Sequence, residues 1–187
     1  MRKSLTLIEL IIAIVLVGVF VLTAFGLLTA ATGFYTSSDT RTVVLNDLNY
    51  LLSHIDKNVF LSIGWVGNPA VVVDATGSPD QYQITINQFN DPDVADYNAL
   101  VTLTYDFNTA TNQIRFRRGA GGAWQILSRR LVQNPGQLDI DFDADTGVLI
   151  IDNLSLRLDP SSGEDSRQNP EIITRYQKFS SWMHSLN

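Results

Sequence analysis

Between Glu9 and Ala31 the chain carries no charge and no proline, and only Gly18, Thr23, Gly26 and Thr29 interrupt its Leu, Ile, Val, Ala and Phe. A helix that crosses a bilayer needs roughly 20 such residues, so this run is long enough to span. Its flank Met1-Arg2-Lys3-Ser4 is basic. Under the positive-inside rule that places the N-terminus in the cytoplasm and everything after about Gly33 on the outer side. A secretory signal would have a shorter apolar core and a small-residue cleavage site after it, and Ala30-Ala31-Thr32-Gly33 is a weak one. A plain signal anchor has no use for Glu9, because an isolated carboxylate in hydrocarbon is costly unless neutral or paired.

The 187 residues leave about 150 beyond the span, enough for one domain with its own core. A net charge of −6 and a pI near 4.7 argue against nucleic acid as a partner, since phosphate is bound by a surplus of Lys and Arg. No cysteine is present, so an exported domain is held by packing rather than by disulfides.

After the span, Val44, Leu48, Leu51, Leu52, Ile55 and Val59 fall at helical spacing, with Asn46, Asp47, Ser53, His54, Asp56 and Lys57 between them. The spacing predicts an amphipathic helix ending near Ser62. It either continues the span, giving some 55 residues and roughly 80 Å at the α-helical rise, or starts afresh behind a linker, capped by Ser37, Ser38 or Asp39. His54 falls on the polar side of this helix and reads as solvated or lightly packed. With only His184 as a second histidine, a zinc site is not expected.

Beyond Gly64 the period becomes two. Apolar residues alternate with polar ones at Tyr82–Ile86, Val101–Phe107, Ile114–Arg117, Leu138–Phe142 and Leu154–Leu158, with shorter apolar runs at Ala70–Val73, Trp124–Leu127 and Val148–Ile151. Turns rich in Gly, Asn, Asp and Pro separate them, and Pro170–Phe179 adds a last candidate strand. One apolar and one polar face per strand describes an antiparallel sheet covered on one side. Trp182, Met183 and Leu186 are candidates to pin the C-terminal end. The expected fold is α+β: a helix over 5–31 for the membrane, an amphipathic continuation over 32–62, and a β-rich extracytoplasmic domain over 63–187.

Two constellations bear on chemistry. Asp139, Asp141, Asp143 and Asp145 precede Gly147, but an EF-hand in this frame would need Gly in place of Ala144 and Glu in place of Ile150. The aspartates are either the outer face of a strand or a calcium site of another kind; no other cofactor is implied. Arg115, Arg117, Arg118, Arg129 and Arg130 are the only basic concentration in an acidic domain, either solvated strand faces or a patch that pairs across chains with an acidic neighbour. No Cys nucleophile, Gly-x-Ser-x-Gly elbow or phosphate loop is present, so no enzyme is expected.

The basic head, the small Ser4, and Leu5-Thr6-Leu7-Ile8-Glu9-Leu10 running into the apolar stretch resemble the class III signal of type IV pilins and type II secretion pseudopilins. Ser4 stands where that family usually has Gly, and Leu5 where it usually has Phe. The resemblance implies a leader of residues 1–4, cleavage by a prepilin peptidase between Ser4 and Leu5, N-methylation of Leu5, and a role for Glu9 in assembly, pairing with a neighbour's N-terminal ammonium. Val101–Phe107, Ile114–Arg118, Trp124–Leu127, Leu138–Phe142 and Leu154–Leu158, in this order, are similar to the C-terminal domain of J-type minor pseudopilins and W-type minor pilins.

The resemblance further implies a single-pass protein of the bacterial inner membrane. It would assemble with other pilins through its N-terminal helix, by way of an inner-membrane platform, into a pseudopilus or pilus. The competing reading is an anchored binding module or adhesin that joins no filament.

Overall fold

The computed structural model describes residues 7–64, 69–75, 81–91, 96, 98–132, 138–143, 145–163 and 166–179. One helix, α1 (Leu7–Phe60), is followed by eight strands: β1 (Val71–Ala75), β2 (Gln81–Phe89), β3 (Leu100–Asn108), β4 (Gln113–Arg118), β5 (Gln125–Ser128), β6 (Asp139–Asp143), β7 (Val148–Arg157) and β8 (Glu171–Phe179). The fold is α+β with antiparallel strands, as expected. No second helix begins at residues 37–39, because α1 runs through them. Ser37, Ser38 and Asp39 therefore cap nothing. Glu9 in the first turn of α1 and Lys57 in the last both complement the helix dipole.

The chain divides into two compact units, residues 1–39 and 40–187. In the first, every described residue from Leu7 to Thr36 is exposed. Thr23, Thr29, Thr32 and Thr36 turn their hydroxyls back onto helix carbonyls, which satisfies them without water.

The second unit holds the core. Val44, Leu48, Leu51, Ile55 and Val59, spaced at three and four residues, line the buried stripe of α1. They pack in one cluster with Ile84, Ile86, Leu103, Tyr105, Phe107 and Ile114, and with Leu149, Ile151, Leu154 and Leu156.

The strands form two sheets rather than one meander: a five-stranded sheet in the order β1-β2-β3-β4-β5 and a three-stranded sheet in the order β6-β7-β8. The break comes after β5, where residues 130–132 leave the β4 edge and pair along the end of β7. Arg157 N donates to Arg130 O at 2.9 Å and Val132 N to Ser155 O at 3.0 Å. Val148–Ile151 and Leu154–Leu158, two separate runs in the sequence, join in β7 through an irregularity at Asn153, whose φ is 55°. Asn tolerates this left-handed conformation better than most residues, so the strand bends without glycine. Trp182, Met183, His184 and Leu186 lie outside the described residues.

Candidate functional surfaces

Of the residues that the leader motif singles out, Ser4 and Leu5 lie outside the described residues. Glu9 lies in the first turn of α1, exposed, and is the only charge in its unit between Leu7 and Ser38. The helix to which it belongs is long and apolar enough to cross a membrane, and none of its most apolar window is buried. The exposed side chains include Phe20, Leu22, Phe25, Leu27 and Leu28, each more than 60% accessible. A continuous apolar surface of this kind is compatible with a single-pass membrane anchor.

In the second unit, α1 contacts the sheets through three polar groups of its own. The first decides between the two sequence readings of His54. His54 is packed, not solvated: the Tyr105 hydroxyl lies 2.8 Å from His54 Nδ1 and accepts from Asn58 Nδ2 at 2.5 Å, and the imidazole meets the Phe116 ring edge-on at 4.7 Å. Gln88 then donates to the Asn58 carbonyl at 2.6 Å, which satisfies one of the open acceptors at the helix end. Desolvation, helped by the nearby Lys57 charge, holds the His54 pKa below its ordinary 6.5. Burial likewise raises the Tyr105 pKa, so the phenol stays a neutral hydrogen-bonding group.

The second group is Asp47, which accepts from Arg130 Nε at 3.0 Å and from the Ser128 hydroxyl at 3.2 Å. The third is Asp56, which accepts from the Tyr176 hydroxyl at 3.2 Å and pairs with Lys178 at 2.8 Å. Asp47 thus ties α1 to the end of β5, and Asp56 ties it to β8. Partner and aspartate stand 81 residues apart for Ser128 and 120 for Tyr176, and no local pattern marks them.

The aspartate run separates in the structure. Asp139 and Asp141 are exposed on β6. Asp143 instead builds the β6–β7 turn, accepting from Asp145 N at 3.0 Å and from the Thr146 hydroxyl at 2.6 Å. Those bonds hold its pKa below the usual carboxylate value, with Thr146 the largest cause. Among the described residues no group of three or more His, Cys, Asp or Glu is placed to hold a metal ion.

The arginine concentration is mostly used within the chain. Arg115 pairs with the buried Asp106 through Nε at 3.0 Å, Arg130 pairs with Asp47, and Arg118 donates to the Asn90 carbonyl at 2.9 Å. Thr104 and Asp106, expected on a solvated face, are 5% and 3% exposed. The other face of β3 is therefore covered, and the Asp106–Arg115 pair belongs to that cover. Trp124 extends it, with the Arg115 and Arg117 guanidiniums 5.0 and 4.6 Å from its ring centroid. Gly119, with φ of 75°, and Gly122, where a Cβ would lie 2.1 Å from the Arg118 carbonyl oxygen, make the tight turn that returns Trp124 alongside β4.

No family model matches the chain, and no curated protein or solved structure matches it.

Proposed function

We propose that this protein is a minor pilin-like structural subunit: anchored in the inner membrane by residues 5–31, cut by a prepilin peptidase between Ser4 and Leu5, and incorporated into a type II secretion pseudopilus or a type IV pilus. The observation that carries this reading is the contrast within α1. Residues 7–36 bury nothing within their own unit and residues 44–59 carry a core stripe. A helix built this way has one stretch reserved for lipid or for neighbouring helices and another that is structural. In the assembled state, helix–helix packing replaces lipid around the same apolar side chains, and the exchange is close to balanced because lipid tails are as apolar as Leu. Glu9 then supplies selectivity. A carboxylate in apolar surroundings favours a cation beside it, which a neighbour's N-terminal ammonium provides.

The N-terminal sequence and mass of the protein, made with and without an active prepilin peptidase, test the reading. A start at Leu5 only when the peptidase is active is the expected result; an intact Met1 in both cases overturns it. Replacing Glu9 with Ala is expected to leave membrane insertion intact and to deplete the protein from filaments.

A further inference from the structure

We propose that the end of α1 carries a docking surface, Phe60 and Leu61, whose occupant is the segment of this same chain that follows β8, residues 180–187, with Trp182 seated on the two apolar side chains. The contact lies within the second unit and depends on neither membrane nor filament.

The course of β8 brings that segment to this surface. The Tyr176 hydroxyl donates to Asp56 at 3.2 Å. Lys178, two residues on, pairs with the same carboxylate at 2.8 Å and holds its ammonium 5.6 Å from the centre of the Phe60 ring. Two residues of strand rise about 6.6 Å, and the turn of helix from Asp56 to Phe60 rises about 6 Å, so strand and helix advance together. The side of β8 that meets α1 and the core carries Ile172, Tyr176 and Lys178. The same period of two, carried onward in the sequence, falls on Ser180 and Trp182. β8 ends at Phe179, and the three residues from there to Trp182 span at most about 11 Å, so the indole is delivered close to Phe60.

The chemistry of surface and segment agrees. Phe60 is 54% and Leu61 38% exposed, whereas Val59, Ser62 and Ile63 beside them are buried. Residues 180–187 read Ser-Ser-Trp-Met-His-Ser-Leu-Asn, with no carboxylate, lysine or arginine among the side chains and one large aromatic ring. A tryptophan takes about 150–250 Å² out of water when it is covered, and its ring pairs well with a phenylalanine set at an angle to it. The same segment of a second copy has the same chemistry. A segment tethered three residues away, however, is presented at an effective concentration on the order of millimolar, so the chain's own Trp182 takes the place.

The full-length chain in detergent, carrying Trp65→Phe and Trp124→Phe, leaves Trp182 as the one tryptophan that reports. Its emission is expected to be blue-shifted and its quenching by acrylamide several-fold weaker than in denaturant. Adding Phe60→Ala is expected to shift the emission to the red and raise the quenching at least twofold. Ile173→Ala, at an exposed residue on the other side of β8, is expected to change neither. In the chain with all three tryptophans, Phe60→Ala and Trp182→Ala should each lower the denaturant midpoint followed by circular dichroism, and together lower it no further than the larger of the two. This cycle decides alone if the single-tryptophan chain does not unfold cooperatively. Solvent-like Trp182 emission in the folded chain, emission unmoved by Phe60→Ala, or additive midpoint shifts each overturn the contact. Shielding of Trp182 that is lost on dilution assigns the surface to a second copy and overturns it as well.

Discussion

Two stretches of the same helix obey opposite rules. From Leu7 to Thr36 α1 is apolar on every side and exposed on every side; from Val44 to Val59 its apolar residues form one stripe and that stripe is buried. In the second stretch the position of a residue around the helix decides its environment, whereas in the first it decides nothing within the unit. The difference separates side chains that stabilise this chain's own fold from side chains that bury nothing in their own unit.

The largest expected effect comes from the buried stripe. Leu51 is fully buried, and Leu51→Ala should cost about 2–5 kcal/mol of domain stability through lost burial and the cavity left behind. All three tryptophans, Trp65, Trp124 and Trp182, lie outside residues 1–39, so tryptophan emission during denaturant unfolding in detergent reads that domain alone. Leu22→Ala, in the first stretch, should leave the same unfolding curve where it was. If both substitutions shift the midpoint alike, the contrast between the stretches is wrong.

A smaller effect is expected at the polar seam. Tyr105→Phe removes the hydroxyl shared by His54 and Asn58 and should cost about 1 kcal/mol, the net worth of such a bond. The seam also gives a pH dependence of definite sign. The folded-state pKa of His54 lies below its unfolded value, so the unfolded chain binds the proton more readily. Stability is then full above pH 6.5 and declines as pH falls through 6.5 toward the depressed folded value. Denaturant midpoints at about pH 8 and about pH 5.5, on either side of the ordinary histidine value, should differ less in His54→Gln than in the parent chain; equal differences would remove His54 as the cause. The smallest effect is expected at the half-exposed Asp47–Arg130 pair, where Asp47→Ala should cost within about 1 kcal/mol and the loss should shrink in high salt.

Much of this was legible in the chain itself. The apolar run, the helical stripe from Val44 to Val59 and the alternation in β2, β3, β4 and β7 each rest on a local period, and local periods survive in any tertiary setting. Legibility ended where the partner of a residue lies far along the chain. Asp106 follows the polar phase of its strand but is buried, because Arg115 and its neighbours on β4 cover it. His54 has polar sequence neighbours, yet its surroundings are Tyr105 and Phe116. The arginines looked like one basic patch, yet Arg115 and Arg130 meet carboxylates, Arg118 a backbone carbonyl and Arg117 the Trp124 ring.

By itself, then, the sequence determined that an apolar helix precedes an α+β domain with antiparallel strands, because hydrophobic period and turn residues act over a few positions. Only the tertiary structure decided that the strands divide into two sheets after β5, that α1 is tied to them through Asp47, His54 and Asp56, and which charges remain unpaired. Each of these depends on which strands meet across long stretches of chain, and such pairing is settled by burial and hydrogen-bond satisfaction over the whole fold rather than by any single segment.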